Sequence, residues 1–144
     1  MTSIHRKALL PYSALDLYTL VNDVESYPEF MDGCVGAKVI SASDTAMEAR
    51  LDLARGGIRQ SFTTVNSLVP GERIHLNLKN GPFEHFDGVW QFQALAETAC
   101  KVSLDLEFAL RGSLIGAAAS HLFERVAANL VDAVVQRAQV IYAS

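Results

Sequence analysis

The side chains able to do chemistry are few and scattered. The four histidines, His5, His75, His85 and His121, have no metal-ligand spacing, and no H-E-x-x-H word occurs. Cys34 and Cys100 lack a C-x-x-C partner, so they read as free thiols in a reducing compartment rather than as a zinc or redox site. Asp32, Glu84, Asp87 and Arg111 fall near the mouth of a predicted apolar space but make no nucleophile–base word, and the sequence assigns no catalytic residue, no metal and no enzyme activity. Arg50, Arg55 and Arg59 are better grouped, around the Gly56-Gly57 turn, with Arg6, Lys7 and Lys38 as candidates to extend the patch. Such a patch would meet RNA phosphates or would simply keep a sheet edge soluble. It has no interleaved aromatics of the kind that stack single-stranded bases. With 12 basic and 16 acidic residues the net charge is −4, which argues against a DNA binder driven by bulk charge.

Apolar surface, by contrast, is plentiful: half of the 144 residues are hydrophobic and 19% are charged, enough for a core in one domain over residues 1–144. The clearest pattern is in the last third. Cys100, Val102, Leu104, Leu106, Phe108 and Leu110 alternate with Lys101, Ser103, Asp105 and Glu107, the signature of a half-buried strand. The period then changes. Ile115, Ala119, Leu122, Val126, Leu130, Val134, Ala138 and Ile141 recur every three or four residues, predicting one long helix from about Ser113 to Tyr142. His121, Glu124, Arg125 and Asp132 interrupt it too often for a membrane span. No signal-peptide core follows the N-terminus, so the chain reads as cytoplasmic, or peripheral to the inner membrane.

Upstream, Ile4–Leu10 predicts a first strand stopped by Pro11, and Ser13 with Asp16 predicts a capped helix broken at Asn22-Asp23. A short helix or turn follows around Tyr27–Met31. Strands are then predicted at Val35–Ser41, Thr45–Ala54, Ile58–Leu68, Glu72–Leu78 and His85–Leu95, separated by Gly56-Gly57, Pro70-Gly71 and Asn80-Gly81-Pro82. Ile58–Leu68 reads as polar on both faces. The order β-α-α-β-β-β-β-β-β-α with short turns implies an α+β fold: a curved antiparallel sheet of about seven strands around the long helix. An apolar space between them would be lined by Phe62, Leu76, Leu78, Phe86, Trp90, Phe92, Leu104, Leu106 and Phe108 from strands, and by Leu122, Val126, Leu130 and Val134 from the helix. The same side chains would equally serve as an ordinary core. Tyr27, Pro28, Phe30, Met31, Pro82, Phe83, Leu114 and Ile115 are candidates for the mouth, where an exposed Phe or Met would touch a membrane transiently. His85 falls near that mouth, placed to bond a ligand carbonyl or only to hydrate a strand end.

Several words in this order resemble the START-like helix-grip superfamily, in its polyketide-cyclase/coenzyme-Q-binding branch. They are Leu20-Val21-Asn22-Asp23-Val24-Glu25-Ser26-Tyr27-Pro28-Glu29-Phe30, Cys34, Gly81-Pro82-Phe83, Gly88-Val89-Trp90-Gln91-Phe92, and Arg137-Ala138 with Tyr142. Two positions depart from the pattern: Asp32-Gly33 follows Met31 where the family has proline, and Val134 stands where it tends to carry an aromatic. The resemblance implies binding of ubiquinone or a related isoprenoid lipid, with no other cofactor, as a carrier or chaperone for respiration or quinone biosynthesis. It also implies an alternative, since one bacterial branch is described as binding the large ribosomal subunit and blocking subunit joining and translation initiation.

Overall fold

The structure is a computed structural model that describes residues 2–111 and 116–142, with side chains described for all of these except 116–119. The chain runs β1 (Thr2–Leu10), α1 (Ala14–Asn22), a 3₁₀ turn at Val24–Ser26, α2 (Tyr27–Phe30), then β2 (Cys34–Ala42), β3 (Ala46–Arg55), β4 (Ile58–Val69), β5 (Arg73–Asn80), β6 (Phe83–Ala96) and β7 (Ala99–Leu110), and ends with α3 (Gly116–Tyr142). The seven strands form one antiparallel sheet in the order β1-β7-β6-β5-β4-β3-β2. The sheet is curved, and the long helix lies against it. The predicted α+β helix-grip architecture is therefore the observed one. The start of the predicted helix, with mouth candidates Leu114 and Ile115, lies outside the described residues.

Strand parity decides what lies inside. Along β7, Cys100, Val102, Leu104, Leu106 and Phe108 are buried and their alternates are not. On α3, Phe123, Ala127, Val131, Val134 and Ala138 form the buried stripe at helical spacing. The helix is about 40 Å long at 1.5 Å per residue, enough to cross the whole sheet. Helix α1 covers the sheet beside its far end. Its N-cap Ser13 Oγ accepts the Asp16 N–H at 3.1 Å, and Leu17 is wholly buried. Tyr142 clamps the end of α3 onto it, donating its hydroxyl to Asp16 O at 2.8 Å while its ring lies 5.7 Å from that of Tyr12.

The turn between α2 and β2 is fixed from three sides. The Ala54 N–H donates to Gly33 O at 2.9 Å, and Arg55 Nη1 bonds Asp32 Oδ2 at 2.7 Å. Gly33 has φ +91°, and a Cβ built there would stand 2.8 Å from Val126 Cγ2 of α3. Only glycine satisfies both the left-handed backbone and the close approach. Replacing Gly33 by Ala is therefore expected to destabilise the protein by about 2 kcal/mol. Thermal unfolding followed by circular dichroism should show a midpoint lower by about 4–8 °C.

Candidate functional site

Between sheet and helix lies a cavity of about 90 Å³. Its walls come from the inward positions of five strands: Ala49, Leu51 and Leu53 of β3; Phe62, Thr64 and Asn66 of β4; Leu76 of β5; Phe83, Phe86 and Trp90 of β6; and Leu104, Leu106 and Phe108 of β7. Helix α3 contributes Phe123, Val126, Ala127 and Leu130, and the segment from the 3₁₀ turn through α2 contributes Val24, Tyr27 and Met31. One end is closed by an aromatic cluster. The Phe83 ring lies 4.7 Å from that of Phe123, 5.0 Å from Phe86 and 5.6 Å from Phe62, at tilted or edge-on angles that aromatic rings favour.

Nine of the thirteen side chains predicted to line the space border it; four do not. Phe92 is buried against Tyr18, at 5.7 Å edge-on, and stacks on Trp90. Leu122 packs at the Gly33 turn, Leu78 against Gly81, and Val134 sits fully in the core further along α3. The departure at Val134 thus leaves the cavity untouched. Of the mouth candidates, Tyr27 and Met31 are buried lining residues and Pro28 is exposed. Pro82 is half-buried. Phe30 is half-buried too, with its ring 5.7 Å from that of Tyr27 and beneath the Arg137 guanidinium. Phe83, expected at a loop tip, is the first residue of β6 and 2% exposed, because the strand begins directly after Pro82 and turns the ring inward. Sequence reading missed Thr64 and Asn66 altogether. Their signal was parity with Phe62 and Leu68 on the inward face of β4.

The lining is neutral throughout. Among the described residues no Asp, Glu, Lys, Arg or His borders the cavity, and no cluster of His, Cys, Asp and Glu could hold a metal. The Tyr27 hydroxyl donates to Val21 O, and burial pushes its pKa upward. Burial likewise raises both thiols. His85 is exposed on the outer face, 3.9 Å from Glu107, and does not reach the cavity.

The basic residues divide. Lys38 pairs with Arg50 across β2–β3 and Ala54 with Arg59 across β3–β4, which places Lys38, Arg50 and Arg59 on the outer face of that sheet edge. Arg50 is held by Asp52 at 3.0 Å. The Ser61 hydrogen bond, at 2.5 Å, and then Arg50 keep the Asp52 carboxyl below the usual range. Arg55 turns away to Asp32, and its hydrogen bond and charge hold that carboxyl low. Arg6 and Lys7 do not extend the patch: β1 is the opposite edge strand of the sheet.

Comparison with known proteins agrees with this geometry. The model of the polyketide cyclase / dehydrase and lipid transport family matches residues 10–135. Ribosome association toxin RatA of Pseudomonas aeruginosa is 50% identical over 141 residues, 98% of each chain. The protein of that name from Escherichia coli K12 is 40% identical over 144 residues, all of this chain and 91% of the relative. Among solved structures, the Zhui aromatase/cyclase of Streptomyces sp. R1128 superposes with a TM-score of 0.82 over 99% of this chain and 98% of that one. Its identity of 16% makes this a likeness of fold.

A space of about 90 Å³ costs on the order of 2 kcal/mol in lost packing. Filling it by Ala127→Leu, on a good helix former's position, is expected to raise the unfolding midpoint by up to about 4–8 °C. The same variant should lose uptake of apolar probes by at least about tenfold, checked by calorimetric titration.

Proposed function

The chain belongs to the polyketide cyclase / dehydrase and lipid transport family, and within it to the group of the ribosome association toxins RatA; from that premise we propose that it associates with the ribosome, at the large subunit, and lowers translation initiation. The observation that carries this is identity of 40–50% along essentially the whole chain to proteins bearing that name. The outer face of the β2–β3–β4 edge is the surface we assign to rRNA phosphates. Lys38 is exposed there, and Arg59 has no ion-pair partner among the described residues. Arg50, shared with Asp52, adds less, and Arg55 serves the Asp32 turn instead.

The cavity supports a second role in the same molecule: it takes an apolar ligand, of which ubiquinone or a related isoprenoid lipid remains a candidate. At about 90 Å³ the space suits a head group or a short chain segment, and a long tail would have to lie along the rim. Both roles are binding roles. The neutral lining offers no acid–base pair for the ring-closing chemistry named in the structural neighbour.

Ribosome association is tested by co-sedimentation with isolated large subunits across a salt series. Lys38→Glu combined with Arg59→Glu is expected to weaken binding at least about tenfold and to lower the log–log salt slope by about 1.5. These two positions are preferable to Arg55, whose reversal would set two carboxylates together at the Asp32 turn. Unchanged binding in the double variant would remove this face from the account. Failure of the wild-type protein to sediment with any subunit would remove the ribosome reading itself.

A further inference from the structure

We propose that the cavity selects a neutral head group bearing a hydroxyl, of phenol-like or alcohol-like type, and that Asn66 receives it. This rests on the cavity being a ligand site. Asn66 stands on the inward face of β4, opposite Met47 of β3 and Leu76 of β5, and is 3% exposed. Its Oδ1 has no hydrogen-bond partner among the described protein atoms, although the residue borders the cavity. A buried amide oxygen without a donor is costly, and an apolar side chain would serve the core better there. The chemistry that relieves it is an O–H donor seated in the cavity beside Asn66, with the amide turned so that its oxygen meets that donor. Thr64, two residues along the same face, is the other polar lining side chain, and its hydroxyl makes no hydrogen bond among the described residues; that of Tyr27 is committed to Val21 O.

These contacts discriminate among ligands. A charged head would enter a lining with no counter-charge. A quinone or ketone carbonyl has no proton to give Oδ1. A hydroxyl donates to Oδ1, keeps its lone pairs for the Thr64 hydroxyl, and serves whichever end of the amide faces it. The space of about 90 Å³ admits no more than one ring once the half-buried Phe62 and Phe86 shift slightly.

The test uses phenol and toluene, equal in shape and different in one group, titrated into the isotope-labelled full chain. Nuclear magnetic resonance follows the Asn66 side-chain amide and gives both dissociation constants. The expected result is a shift of the Asn66 amide signal with phenol and little with toluene, and a phenol-to-toluene affinity ratio that falls about tenfold in Asn66→Leu. If the variant fails to fold, the wild-type amide signal still decides. An unmoved Asn66 amide with saturating phenol, or an unchanged ratio in the variant, would overturn this inference while leaving the cavity as an apolar site. Binding of neither probe to wild type would overturn the cavity reading beneath it.

Discussion

One helix is narrower than the seven-stranded sheet it must cover, and the rest of the structure follows from that mismatch. The buried stripe of α3 through Phe123, Ala127, Val131, Val134 and Ala138 satisfies only part of the inward surface. At one end α1 makes up the width, with Leu17, Tyr18 and Val21 packed against β6 and β7. At the other, rings from β4, β6, β7 and α3 close together. Between the two ends the small residues Ala49 and Ala127 both border a space that no side chain fills. A sequence under selection for stability alone would have enlarged one of them.

The inner and outer faces of β3 and β4 then do different work with alternate residues of the same strands. Leu51, Leu53, Phe62 and Asn66 look onto the cavity, while Arg50, Asp52, Arg59 and Ser61 form a charged outer surface. The two faces meet at the β3–β4 turn. There Asp32 and Arg55, the Ala54–Gly33 hydrogen bond and the Gly33–Val126 approach bind turn, sheet edge and helix together. Asp32 thus ties this turn to the end of β3 by an ion pair. It also couples the rim of the cavity to the basic edge.

Period was what the sequence displayed most plainly. The alternation of Cys100–Leu110 and the three-four spacing after residue 115 predicted β7 and α3, because burial on one side imposes those periods regardless of the rest of the fold. Parity also tells inside from outside, but not which inside residues border a void. Phe92 and Val134 are as inward as Trp90 and Leu130, yet α1 and the core take them up. Position relative to the helix ends, which no local pattern encodes, makes the difference. Asn66 was hidden because a polar residue in a Thr-rich strand reads as surface. Arg6 and Lys7 were misplaced because β1 pairs with β7 rather than with its neighbours in the chain.

The central claim is that the gap left by a narrow helix is kept open for an occupant. The most direct measurement is organic extraction and mass spectrometry of wild-type and Ala127→Leu proteins purified in parallel from cells of the native host. The account predicts one apolar, hydroxyl-bearing molecule per wild-type chain and none from the variant. Equal recovery from both proteins, or an empty wild type that also takes up no added phenol or ubiquinol, would contradict it.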